Sequence, residues 1–151
     1  LVGSEMCIRD RNLAAAVNAI AADGIYMTPQ LVYGMVDTNL SVQETEENTG
    51  EKVMEPTTAA RLRAYMESTA RFGTARIGAP QNCVSGIKTG TAQTGVYDEN
   101  GEEIENYWYA GYICNAQEEP LYTLVVLEET AGEMHVPQAF RKIGEALVDF
   151  N

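Results

Sequence analysis

A chain of 151 residues with 45% hydrophobic content is about one domain long and apolar enough to pack a core, which excludes a wholly disordered polypeptide. Twenty-two acidic residues against ten basic give a net charge of -12, which excludes the clustered Lys and Arg of a phosphate-binding surface, so no nucleic acid is expected as a partner. No apolar run reaches the roughly 20 residues of a membrane helix, and Cys7, Cys83, Cys114 and the single His135 lack metal-ligand spacing, so neither a metal nor a cofactor is expected.

The first eleven residues, LVGSEMCIRDR, show no clear period and no cap. They look like a translated adapter, so residues 1–11 are set apart as a non-native lead-in and the domain is expected over 12–151. From Asn12, a potential cap, Leu13, Val17, Ile20 and Ala21 recur at helical spacing until Gly24. After Thr28-Pro29 the stretch QLVYGMV predicts a strand, and the acidic segment from Asp37 to Glu55, with Glu44, Glu46, Glu47 and Glu51, predicts a solvated hairpin or loop. Pro56-Thr57-Thr58 opens the longest predicted helix, with Leu62, Tyr65, Met66 and Thr69 on one face and Gly73 at its end.

Cys83 to Gln93 reads as a strand, Asp98-Glu99-Asn100-Gly101 as a hairpin turn, and Tyr107 to Cys114 as the return strand. Leu121 to Leu127 is apolar enough to predict a central strand, and Pro137 begins a final helix with Phe140, Ile143, Leu147 and Phe150 on one face. The expected class is α+β, an antiparallel meander packed against helices.

Chemistry concentrates in VSGIKTGTAQTG, Val84 to Gly95. Ser85-Gly86-Ile87-Lys88 fits S-x-x-K, the pattern of a serine nucleophile whose proton a lysine amine takes. That chemistry needs a helix, where i and i+3 are neighbours; on a strand the two side chains take opposite faces about 10 Å apart, so the match is read as accidental. Lys88-Thr89-Gly90 suits a strand better. Alternation sends Lys88 and Thr89 to opposite faces, Gly90 lets a substrate backbone approach, and Thr91 offers an N–H to an oxyanion. His135 reads as a surface or capping residue before the last helix, and Tyr107, Trp108 and Tyr109 as packing.

With these pieces in this order the chain resembles the C-terminal half of a penicillin-binding protein transpeptidase domain, most like the monofunctional class B enzymes, within the serine β-lactamase/transpeptidase-like fold. AAAVNAIAADGIYMTPQLV, LRAYMESTARFGTARIG, KTGTAQTG, WYAGYIC, LYTLVVLEE and VPQAFRKIGEAL carry the likeness from about Asn12 to Asn151. The resemblance implies a peptidoglycan D,D-transpeptidase that forms an acyl-serine from a D-Ala-D-Ala stem peptide, cross-links strands and is acylated by β-lactams. It implies that Lys88 serves the substrate carboxylate electrostatically, Thr89 hydrogen-bonds it, Gly90 gives clearance, and the Thr91 N–H forms half of the oxyanion hole, its hydroxyl near the same carboxylate; Gln93 is a candidate for the cleft rim. A membrane anchor, an extracytoplasmic domain and a glycan-polymerising synthase partner are implied of the parent, without a targeting signal in these residues. No S-x-N occurs, so the nucleophile and two of the three motifs are expected outside this chain, which alone is expected to be inactive. A serine β-lactamase, a β-lactam sensor and a non-catalytic module of the same fold are the alternatives.

Overall fold

The computed structural model describes residues 2–44, 48–129 and 134–150. Helix α1, Val2–Ala21, starts ten residues before the predicted cap, because residues 2–11 hold no proline and Asn12 simply continues the ladder as an interior residue. It ends where expected. Asp23 and Gly24 both take left-handed φ, 52° and 91°, and the Gly24 N–H closes onto the Ala19 carbonyl at 2.8 Å.

Two short antiparallel ribbons follow, β1 (Ile25–Tyr26) with β4 (Glu51–Lys52) and β2 (Gly34–Val36) with β3 (Val42–Glu44). The strand predicted over 30–36 therefore contracts to its last three residues. Leu31 and Tyr33 are exposed, so the apolar content before Gly34 belongs to no buried face. The acidic segment, expected as a hairpin or loop, supplies β3 and β4, which pair back with β2 and β1; Glu46 and Glu47 lie outside the described residues.

Helix α2, Pro56–Phe72, begins with proline at its first turn, where a missing N–H costs nothing, and ends at Gly73. Its inward face is Ala59, Met66 and Ala70, with Tyr65 exposed, so the contact stripe sits one position round from the predicted one. Arg63 explains the rotation. Its guanidinium reaches the α1 C-terminus, donating to the Ile20 carbonyl at 2.9 Å and to Asp23 Oδ1 at 2.7 Å, and so satisfies groups that the helix end leaves open.

The second half is the predicted meander: β5 (Ser85–Tyr97), β6 (Glu103–Cys114) and β7 (Pro120–Glu128), antiparallel in the order β5-β6-β7, then α3 (Val136–Asp149). Asp98 fixes the β5–β6 turn by accepting from the Asn100 and Glu102 N–H groups, each at 2.8 Å, which hold its carboxyl below the usual range. Strand β7 is at an edge among the described residues, not central as its composition suggests. Helices on both sides of the sheet account for the apolar run, since β7 touches α1 as well as α3.

Three layers result. On one face of the sheet Ile87, Tyr109 and Ile113 pack with Ala70, Ala75 and the α3 residues Val136 and Phe140. On the other, Ala110, Tyr112 and Cys114 pack with Val17 of α1 and Met66 of α2. Tyr112 is fully buried yet satisfied, its hydroxyl donating to Glu67 Oε1 at 3.0 Å; burial and that carboxylate push its phenol far upward. The thiols of Cys83 and Cys114 are free and belong to different clusters. Burial first, then Glu67, pushes Cys114 up to about 11, and burial raises Cys83, which disfavours the thiolate at both.

Helix α3 presents Val136, Phe140 and Gly144 to the sheet, while Ile143 and Phe150, predicted on the same face, are exposed. Phe140→Ala should therefore cost about 3–5 kcal/mol in a denaturant titration, the range for emptying a fully buried aromatic site. Phe150→Ala should change stability by no more than about 0.5 kcal/mol.

Candidate active site

The site is built on the outer edge of β5. Ser85 pairs with Ile113, and the flanking bond from the Cys114 N–H to the Val84 carbonyl, 2.9 Å, makes this a non-hydrogen-bonded pair. The register runs without a break from there to Gln93. Alternation then commits the backbone of Gly86, Lys88 and Gly90 to β6 and turns the N–H and C=O groups of Ile87, Thr89 and Thr91 outward. No strand pairs with β5 on that side among the described residues. The Thr91 N–H is thus an unpaired donor on a fixed strand, and the Thr89 carbonyl beside it accepts from the Lys88 ammonium.

Side chains alternate as the backbone does. Lys88 and the open position of Gly90 share the face of Tyr112, whereas Thr89 and Thr91 share the face of Tyr109, so the lysine and the two hydroxyls approach the edge from opposite sides. Thr89 is anchored: its hydroxyl pairs with that of Thr74 at 2.9 Å, and the Tyr109 hydroxyl donates to the Thr74 carbonyl at 3.3 Å. The Gly73-Thr74 turn after α2 therefore braces the strand from outside. Gln93 is exposed on β5 farther towards the hairpin tip, where it pairs in register with Glu105. Ser85 is buried at 4% exposure and faces away from Lys88, so the S-x-x-K match brings no nucleophile and base together.

Two glycines of β5, Gly86 and Gly90, differ. A Cβ at Gly86 would run into the Tyr112 ring, so that glycine serves packing. A Cβ at Gly90 would meet only the Trp108 Cβ, at 3.5 Å, an ordinary contact, and Gly90 is not among the residues with positive φ. Nothing in the fold requires a glycine there, which leaves clearance for something outside it.

A cavity of about 570 Å³ opens on the Thr89 face, lined by Thr74, Thr89, Gly90, Thr91, Tyr107, Trp108, Tyr109, Glu128, His135, Val136 and Pro137. Tyr107 donates to Glu105 at 2.9 Å, and that bond raises its phenol; Tyr109 is raised by burial. His135 stands at the N-cap position of α3 without making a side-chain cap. Its Nδ1 instead meets Glu128 Oε1 at 3.0 Å, while Glu128 Oε2 accepts the Val136 N–H at 2.9 Å. The pair escapes a sequence reading because only the path of the chain from β7 into α3 brings the two residues together. Among the described residues no group of three His, Cys, Asp or Glu is placed to hold a metal ion, and no helix is long and apolar enough to cross a membrane.

Residues 11–145 match the family model described as penicillin binding protein transpeptidase domain. The chain is similar to penicillin-binding protein 3 from Mycobacterium tuberculosis, solved with aztreonam, at 19% identity and a TM-score of 0.75 over 91% of this chain and 34% of that one. It is also similar to the D,D-transpeptidase domain of a peptidoglycan glycosyltransferase from Eggerthella lenta (25% identity, TM-score 0.71, 89% of this chain and 30% of that one). A third is an imipenem acyl-enzyme complex of penicillin-binding protein A from M. tuberculosis (23%, 0.69, 91% and 30%). The chain thus spans about a third of the length of these solved chains. No curated protein sequence matches it.

The contrast between the glycines is directly measurable. Gly90→Ala should leave the free energy of unfolding within about 0.5 kcal/mol of the parent, whereas Gly86→Ala should cost about 1–3 kcal/mol as the Tyr112 ring is displaced.

Proposed function

The chain belongs to the penicillin-binding protein transpeptidase domain family, and on that premise we propose that it is the K-T-G-bearing, C-terminal part of a peptidoglycan D,D-transpeptidase. The observation that carries this reading is the free β5 edge, where an outward Thr91 N–H stands next to a glycine that the fold does not need. A peptide lying along that edge adds as a further strand, its main chain bonding to the outward groups of Thr89 and Thr91 and its backbone passing close over Gly90.

In the proposed reaction a serine oxygen attacks the carbonyl carbon between the two D-alanines and gives its proton to a lysine amine. The carbonyl oxygen becomes an oxyanion, and the Thr91 N–H, which needs no reorganisation, supplies half of the hole that stabilises it. The peptide bond breaks, terminal D-alanine leaves with a proton on its nitrogen, and an ester joins the stem peptide to the serine. An amine of a neighbouring strand then attacks the ester and regenerates the serine hydroxyl. Lys88 supplies positive charge on one side of the edge, the Thr89 and Thr91 hydroxyls donate to the substrate carboxylate from the other, and Gln93 is assigned to the cleft rim. A β-lactam presents the same carbonyl and carboxylate and stops at the ester.

The serine, its lysine and the middle-motif hydroxyl are assigned to sequence outside residues 1–151. The family match covers residues 11–145 and so takes in Arg11 of the expected lead-in. The parent is proposed to be anchored in the bacterial cytoplasmic membrane, with this domain outside it beside a glycan-polymerising synthase. A serine β-lactamase or sensor would use the same edge; the names of the similar solved chains favour the transpeptidase.

Excess benzylpenicillin should leave the intact mass of the 151-residue chain unchanged, and a penicilloyl adduct on Ser85 would contradict the assignment. In a version completed upstream, Lys88→Ala should lower the rate of acylation by about 10²- to 10³-fold, the range for losing one preorganised electrostatic group.

A further inference from the structure

We infer that His135, oriented by Glu128, is a further substrate-binding residue of this site: its protonated imidazole meets the terminal carboxylate of the stem peptide together with the Thr89 and Thr91 hydroxyls. The inference rests on the carboxylate subsite proposed above and adds to it the counter-charge on the threonine side of the strand.

The cavity places the partners around one space. Thr89, Thr91, Glu128 and His135 all line one volume of about 570 Å³, within the range of small-ligand sites, with Tyr107 between Thr91 and Glu128 in the sheet register. Lys88 projects from the opposite face of β5 and does not line this cavity. A carboxylate entering here therefore finds hydroxyl donors without an adjacent ammonium. In the Thr74–Thr89 pair one hydroxyl donates and the other accepts, so one proton remains for a ligand.

Among the described residues of the lining, Glu128 and His135 are the ones able to carry charge in the ordinary pH range, since the phenols of Tyr107 and Tyr109 are both shifted upward. Glu128 is 10% exposed and accepts at both oxygens, from the Val136 N–H and from His135 Nδ1. Accepting there fixes the ring: Nδ1 carries a proton, and Nε2 has no partner among the described residues. With a neutral ring the pair has a net charge of about -1 and repels a carboxylate. A second proton makes the pair neutral and turns Nε2 into a donor, a charge-assisted hydrogen bond for the incoming anion.

The other charged groups nearby are acidic. Glu105 shares the face of Tyr107 on β6 and accepts from its hydroxyl, and Asp10 of α1 and Glu129 border the neighbouring cavity with Glu128; β5, the Thr74 turn and α3 contribute no charged residue to the lining. Carboxylate affinity should therefore be higher at pH 6 than at pH 8, as expected for a binding group that gains a donor with its second proton. At 62% exposure His135 is open to a ligand, and its replacement removes little packing.

The test is an NMR titration of the chain with Nα-acetyl-D-Ala-D-Ala at pH 6 and pH 8, after a dispersed amide spectrum has established the fold. His135 is the single histidine, so one imidazole signal reports on the cavity; in a longer version the same signal is identified by its absence from His135→Gln. The peptide should bind about three- to tenfold more tightly at pH 6, and at saturation should move the imidazole midpoint to higher pH. The carboxamide analogue should do neither, and His135→Gln should keep the pH 8 affinity while losing the difference. Equal affinity at both pH values with an unmoved imidazole signal overturns the role of His135 and leaves the threonine subsite standing. Failure of both peptides to bind at either pH overturns the subsite and the inference together.

Discussion

The alternation of hydrogen bonds between β5 and β6 is the constraint on which the rest depends. One bond, from Cys114 to the Val84 carbonyl, sets which residues of β5 look inward, and the unbroken register carries that choice six residues on to Gly90 and Thr91. A slip of one residue would bury the Thr91 N–H in the ladder and exchange the faces of Lys88 and Thr89. Two cores guard against the slip. Ile87 and Tyr109 are held by Phe140 and Val136 on one side, Tyr112 by Val17 and Met66 on the other, so a shifted strand would lose apolar contacts on both faces at once. Positioning a single donor thus engages all three layers.

Much of this was legible in the residues themselves. The Asn-Gly turn, the alternation through K-T-G and the proline and glycine boundaries of α2 act over a few neighbours, and those local rules placed the meander and its helices. Where structure and pattern part, the cause is tertiary. Arg63 reaches back to the α1 C-terminus and sets the rotation of α2, so Tyr65 points outward although its spacing matches Met66. Helix α3 carries more apolar residues than the sheet can cover, and spacing alone does not tell Phe140 from Phe150. Strand β7 reads as central because both its faces meet helices, a property that composition shares with true central strands.

The site divides in the same way. Lys88, Thr89, Gly90 and Thr91 are contiguous, and strand alternation alone announces their faces. Thr74 and the Glu128–His135 pair have no such signature, since each comes to the strand from another part of the chain. What the fold adds is an edge approached by different chemistry from its two sides, an ammonium on one and hydroxyls with a carboxylate-oriented imidazole on the other. A substrate laid along such an edge has its direction chosen by charge before any bond is made.

The central claim is that the Thr91 N–H, turned outward by the ladder, receives the oxygen of the carbonyl under attack. Its most direct test is a crystal structure of the completed protein acylated by a penicillin. The account predicts the ester carbonyl oxygen about 2.7–3.1 Å from the Thr91 nitrogen, with the carboxylate at the Thr89 hydroxyl. An adduct whose carbonyl oxygen lies away from β5, with the Thr91 N–H left to solvent, would contradict it.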